Sequence, residues 1–85
     1  MKPTIGVIGL WHLGCVISAV WSKLGNRVTG FDYDTTRVKN LKAGKPPVYE
    51  PGLEEALQKA VRENFLSFSD KIETLSESDF VLGAR

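Results

Sequence analysis

The stretch Ile5-Gly6-Val7-Ile8-Gly9-Leu10-Trp11-His12-Leu13-Gly14 decides the fold. Ile5 to Ile8 is a short apolar run ended by a glycine, the pattern of a buried strand. Beyond it, Leu13, Val16, Ile17, Val20, Trp21 and Leu24 recur at helical spacing and predict a helix with those residues inward. A strand, a glycine turn and a helix in that order are where a dinucleotide-binding fingerprint belongs. The fingerprint is G-x-G-x-x-G. Its first glycine makes the tight turn, its second lets the backbone approach a pyrophosphate, and its third lets helix and strand pack closely. Gly9 and Gly14 fill the first and third places, and Trp11 stands at the second. An indole there projects near the pyrophosphate space and restricts any backbone geometry needing positive φ. The reading at this position is a plugged or weakened site, favoured over a new stacking surface. Trp11→Gly is then expected to gain affinity. The start of the helix still offers N–H groups to an anion.

Outward from this stretch, strands and helices alternate. Gly25-Asn26 stops the first helix, and Arg27 to Asp32 reads as a second strand with Val28 and Phe31 apolar. Asp34 is a suitable N-cap for a helix from Thr35 to about Ala43, with Val38 and Leu41 inward and Gly44 after it. Lys45 to Glu50 is a proline-bearing loop. Pro51 suits a first helical position, ahead of the apolar stripe Leu53, Ala56, Leu57, Ala60 and Val61. Phe65 to Ser69 reads as a third strand. Asp70 and Glu73 have capping-box spacing for a short helix through Glu77, and Asp79 to Ala84 reads as a fourth strand. Strands separated by helices predict an α/β fold: a Rossmann-like parallel sheet with right-handed crossovers and strand order 3-2-1-4. Residues 1–85 read as the N-terminal part of one such domain, with no substrate or catalytic domain. The end at Arg85 reads as a fragment or a truncated gene product.

Composition narrows the function. The chain has 85 residues and a formal net charge of +1, which argues against a nucleic-acid partner. Leu, Ile, Val and Phe supply 25 of the 85, more than a disordered chain carries. No apolar run is long enough for a membrane span, and no signal peptide precedes the first strand. The single cysteine, Cys15, fits a reducing cytoplasm, and with His12 as the only other soft ligand it makes no metal cluster. Cys15 has no identifiable partner base and reads as structural, His12 as a loop histidine, and Trp21 as packing. Asp32 ends strand two, 23 residues after Gly9, where a ribose-binding acid is expected. A carboxylate there favours NAD over NADP; otherwise it is a solvated strand-end acid. Arg37 is open between a cofactor contact and a solvated helix residue.

The segment Pro47-Val48-Tyr49-Glu50-Pro51-Gly52-Leu53 is more specific than the glycine loop. With Phe31-Asp32-Tyr33-Asp34, Arg37-Val38 and Ser78-Asp79-Phe80-Val81-Leu82, it resembles the NAD-binding domain of the UDP-glucose/GDP-mannose dehydrogenase family. The resemblance implies NAD-dependent, two-step oxidation of the C6 alcohol of a nucleotide sugar to a carboxylate. It implies a pyrophosphate loop at Gly9, Leu10, Trp11, His12, Leu13 and Gly14, a ribose acid at Asp32, and an adenine-side arginine at Arg37. The chain departs from the family at Trp11, at His12 in place of tyrosine, and at Gly83-Ala84-Arg85. The family's catalytic cysteine, lysine and substrate-binding residues lie far downstream, so no catalytic residue is assigned here. The implied role is the adenosine and pyrophosphate half of a cofactor site. The rival is a degenerate, non-catalytic module serving assembly. A free edge on strand four, at Phe80-Val81-Leu82, is expected to support self-association.

Overall fold

A computed structural model describes residues 2–84; Arg85, with its part in the third departure, lies outside the described residues. The elements are β1 (Ile5–Ile8), α1 (His12–Lys23), β2 (Val28–Phe31), α2 (Thr35–Lys42), α3 (Leu53–Arg62), β3 (Leu66–Ser69), a 3-10 helix (Ile72–Glu77) and β4 (Phe80–Gly83). All strand pairs are parallel, and the order is β3-β2-β1-β4. The register aligns Ile5 with Val28 and Phe80, and Val28 with Leu66, so the C-terminal ends of all four strands share one edge. Order and direction are as the sequence pattern predicts. Gly6 faces Leu75 and Ser78, at and just beyond the 3-10 helix, and alternation sends Ile5 and Val7 to the opposite face. There they join Leu10, Cys15, Val28, Leu57, Leu66 and Phe68 in the core.

The inward face of α1 differs from the apolar stripe. Val16, Ile17 and Trp21 pack against the core, but Leu13, Val20 and Leu24 are about half exposed. The buried positions are Gly14, Cys15, Ser18 and Ser22. Close approach to the sheet selects small residues, which a periodicity of large apolar ones does not register. The two buried serines cost little, because each hydroxyl donates to a carbonyl one turn back, Ser18 to Gly14 and Ser22 to Ser18.

Local boundaries follow the caps. Asp34 caps α2 by accepting from the Arg37 amide at 3.0 Å, as expected. Gly25, at φ 93°, ends α1, and the side-chain Nδ2 of the buried Asn26 donates to the Pro3 carbonyl at 2.8 Å. Pro51 does not open α3; it lies in a turn, and Gly52 at φ 83° is the N-cap. The left-handed residue interrupts helical geometry just after the proline. No capping box forms at Asp70 and Glu73. The 3-10 helix begins after Lys71, whose amide donates to the Ser69 hydroxyl at 3.0 Å, and Asp70 pairs with Lys71 instead. Phe65 and Asp79 fall just outside their strands; the Asp79 carboxylate accepts from the Thr4 amide at 2.8 Å. Among the described residues, no helix is long and apolar enough to cross a membrane.

Two glycines fix how close α1 comes to the sheet. A Cβ on Gly14 would stand 1.7 Å from the Gly9 carbonyl oxygen. One on Gly9, already at φ 97°, would stand 1.9 Å from the Ala84 carbonyl oxygen. Both neighbours are backbone and cannot turn aside. Gly14→Ala is therefore expected to destabilise the chain by about 3 kcal/mol. Gly83→Ala, with no atom within 4 Å of the new methyl, should change stability by less than about 0.5 kcal/mol. Urea unfolding midpoints of the two variants check this.

Candidate functional site

The order β3-β2-β1-β4 reverses direction at β1, and in open α/β sheets the crevice at such a switch point takes the ligand. A crevice of about 500 Å³ lies there, at the C-terminal ends of β1, β2 and β4. Of the eight sequence-predicted site residues, Gly9, Leu10, Trp11, Asp32 and Arg37 line it. His12, Leu13 and Gly14 do not; they form the first turn of α1. Leu10 contributes backbone only, because its side chain is fully buried in the core. Leu13 is half exposed.

The start of α1 is open to an anion. Trp11 is its N-cap and makes no side-chain capping bond, so the first-turn amides have no intrahelical partner. No acidic residue occupies that first turn. The positive end of the helix dipole therefore points out beside the crevice. His12 turns sideways: its Nε2 lies 2.9 Å from Glu50 Oε2, which ties the glycine loop to the Pro47–Leu53 segment.

Asp32 is the best-organised group in the site. Its Oδ2 accepts from the Leu10 amide at 2.9 Å and from Arg37 Nη1 at 3.0 Å, and its Oδ1 accepts from the Asp34 amide at 2.9 Å. The side chain is only 13% exposed. Burial pushes its carboxyl up, but the Asp34 and Leu10 amides and the Arg37 guanidinium outweigh burial and hold it below the ordinary carboxylate value. Asp32 is thus a fixed anion at the end of β2, not a solvated acid.

Arg37 is equally committed. Besides Asp32, its Nη2 lies 3.6 Å from Asp34 Oδ2, and its guanidinium carbon sits 4.6 Å from the centroid of the Trp11 ring. Trp11 itself has φ −87° and ψ −155°. This is ordinary extended backbone, so the expectation that position 11 is restricted by a need for positive φ is corrected. The indole leans over Arg37 and borders the crevice rather than filling it.

Cys15 is structural. It is fully buried, its thiol donates to the Leu10 carbonyl at 3.5 Å, and burial pushes its pKa up to about 11. A thiol so protonated is no nucleophile near neutral pH. The residues that sequence reasoning missed are Ile8, Phe31, Tyr33, Gly83 and Ala84, which also line the crevice. Tyr33 meets the buried Phe31 edge-on at 4.7 Å. Ala84 was read as part of a departure, yet its amide donates to the Ile8 carbonyl at 2.7 Å and its carbonyl sits against Gly9. The signal was its place at the end of the strand across the switch point.

The state of Asp32 sets an acid response. Its depressed pKa contributes stability that is fully present above the unfolded value near 3.8 and is lost as pH falls through the lower folded value. Asp32→Asn is expected to lose about 2 kcal/mol at pH 7. It should lose progressively less, relative to the parent chain, as pH drops from about 4 to 2. Denaturant unfolding of both chains across that range tests the sign.

Residues 3–84 match the family model described as UDP-glucose/GDP-mannose dehydrogenase family, NAD binding domain. A UDP-glucose 6-dehydrogenase of Bacillus subtilis is 37% identical over 68 residues, which are 80% of this chain and 15% of that protein. A GDP-mannose 6-dehydrogenase of Pseudomonas syringae is 40% identical over 57 residues, 67% of this chain and 13% of that protein. The solved UDP-glucose dehydrogenase of Pyrobaculum islandicum superposes with a TM-score of 0.92 at 38% identity, over 99% of this chain and 20% of that one. The chain thus spans about a fifth or less of the length of these relatives. By sequence and by fold, the chain belongs to the UDP-glucose/GDP-mannose dehydrogenase family, matching its NAD-binding domain.

Proposed function

We propose that this chain binds NAD in the crevice at the ends of β1, β2 and β4. The observation that carries this reading is Asp32, a fixed carboxylate bordering that crevice and linked to the glycine loop through the Leu10 amide. Asp32 would hold the adenosine ribose by accepting hydrogen bonds from its hydroxyls and would repel a 2′-phosphate. The first-turn amides of α1, uncapped and unopposed by any acid in that turn, would hold the pyrophosphate. Arg37 would border the adenine end. Gly9 and Gly14 act by bringing α1 against the strand ends. When bound, NAD supplies a hydride acceptor. A larger protein containing this chain would then oxidise the C6 alcohol of a UDP- or GDP-sugar to a carboxylate in two steps. Residues outside this chain would carry that catalysis. We place the protein in a reducing cytoplasm on the strength of its one buried, free thiol.

Calorimetric titration tests the binding. NAD⁺ should bind the chain, NADP⁺ should bind at least tenfold more weakly, and Asp32→Ala should weaken NAD⁺ by about tenfold or more. The rival is a fold retained without cofactor binding, favoured by Trp11 at the second glycine position. It predicts no heat with NAD⁺ from a chain that still unfolds cooperatively.

The edge of β4 supports a second proposal, self-association. Phe80 is 59% and Val81 48% exposed, on a strand that, among the described residues, is paired on one side only. Such an edge offers its backbone groups to another strand. Light scattering at high concentration should report a dimer that Val81→Lys dissociates; a monomer throughout counts against it.

A further inference from the structure

We propose that Trp11 is a base-stacking wall at the adenosine end of the crevice, held in that pose by Arg37 as a positioning residue. The ligand class is a purine nucleotide, and the inference rests on the dinucleotide reading above. Three observations converge. The backbone at Trp11 is unstrained, so a side chain sits at this position without cost. The indole is neither collapsed into the core nor loose in solvent; it is 48% exposed and lies against a guanidinium at 4.6 Å. That guanidinium is itself tied to Asp32 and Asp34. Ribose acid, arginine and indole therefore form one linked row.

The indole, with Arg37, also borders two hollows. One is the 500 Å³ crevice containing Asp32. The other is a hollow of about 400 Å³ bordered by Asp34, Asn40 and Lys45 to Pro47. An obstructing side chain would leave no room at the first. An indole on the border of both gives the base of a nucleotide a flat apolar surface beside the carboxylate that takes its ribose. Aromatic surfaces accept bases through stacking, and the cation behind the indole fixes its orientation. Trp11 thereby supplies a contact that glycine at this position would lack.

The test uses AMP, with ribose 5-phosphate as a probe lacking the base, on the chain and on Trp11→Gly, Trp11→Phe and Arg37→Gln. AMP should quench fluorescence in the parent chain but not in Trp11→Phe, which isolates Trp11 from Trp21. Trp11→Gly should weaken AMP about tenfold and leave ribose 5-phosphate unchanged, while Trp11→Phe stays within about threefold of the parent. Arg37→Gln should raise the accessibility of Trp11 to acrylamide, a change that a merely structural role of Arg37 would not produce. Equal or tighter AMP binding by Trp11→Gly overturns the inference and leaves the dinucleotide reading standing. No AMP or NAD⁺ binding by any of these chains overturns both.

Discussion

The close approach of α1 to the strand ends is the constraint from which the rest of the structure follows. It exists because Gly9 and Gly14 carry no Cβ where one would meet a carbonyl oxygen below 2 Å. With that approach made, the uncapped start of the helix, at Trp11, lies at the crevice. The same approach explains the small residues inside α1. Cys15 and Ser18 are fully buried because larger side chains would lift the helix off the sheet. The helix loses apolar burial by this choice. Packing of Val16, Ile17 and Trp21 along its flanks offsets part of that loss.

Asp32 converts this backbone geometry into an electrostatic one. Its carboxylate joins the glycine loop, the N-cap of α2 and the Arg37 side chain through three hydrogen bonds accepted on two oxygens, from the Leu10 and Asp34 amides and the Arg37 guanidinium. A negative charge at this depth would be costly alone. It is sustained because two of those donors are backbone amides that cannot move away, and the third is a guanidinium. The carboxylate is thus held in place by the protein's own groups, which would reduce the ordering cost of the proposed binding.

Strand order, the roles of Gly9 and Gly14, the Asp34 cap and the place of Asp32 were all legible in the sequence. Each depends on local chemistry or on spacing along the chain. The misread features depend on distance through space. Leu13, Val20 and Leu24 have the spacing of an inward stripe, but α1 comes too close to the sheet for large residues to lie beneath it. Asp70 and Glu73 have the spacing of a capping box, but the 3-10 helix starts one residue later, with Lys71 as its N-cap. Tyr33 and Ala84 reach the site only because parallel register brings the ends of β2 and β4 to the same edge. Trp11 was read by subtraction, as a missing glycine, and its contact with Arg37 has no signature in a motif.

That last case bears on how a fingerprint is used. The second glycine of G-x-G-x-x-G permits a close approach of backbone to ligand, but it does not follow that any larger residue blocks the site. The outcome depends on where the side chain goes, and that is set by its neighbours. Here Arg37 lies one helix away, already oriented by two carboxylates, and offers the indole a face. Without that cation, a half-exposed tryptophan beside an apolar crevice would gain most by folding into the crevice and removing its own surface from water. The Arg37 contact competes with that collapse. The substitution at position 11 and the arginine at position 37 are therefore one feature of the site, and neither can be interpreted from the motif that contains only the first.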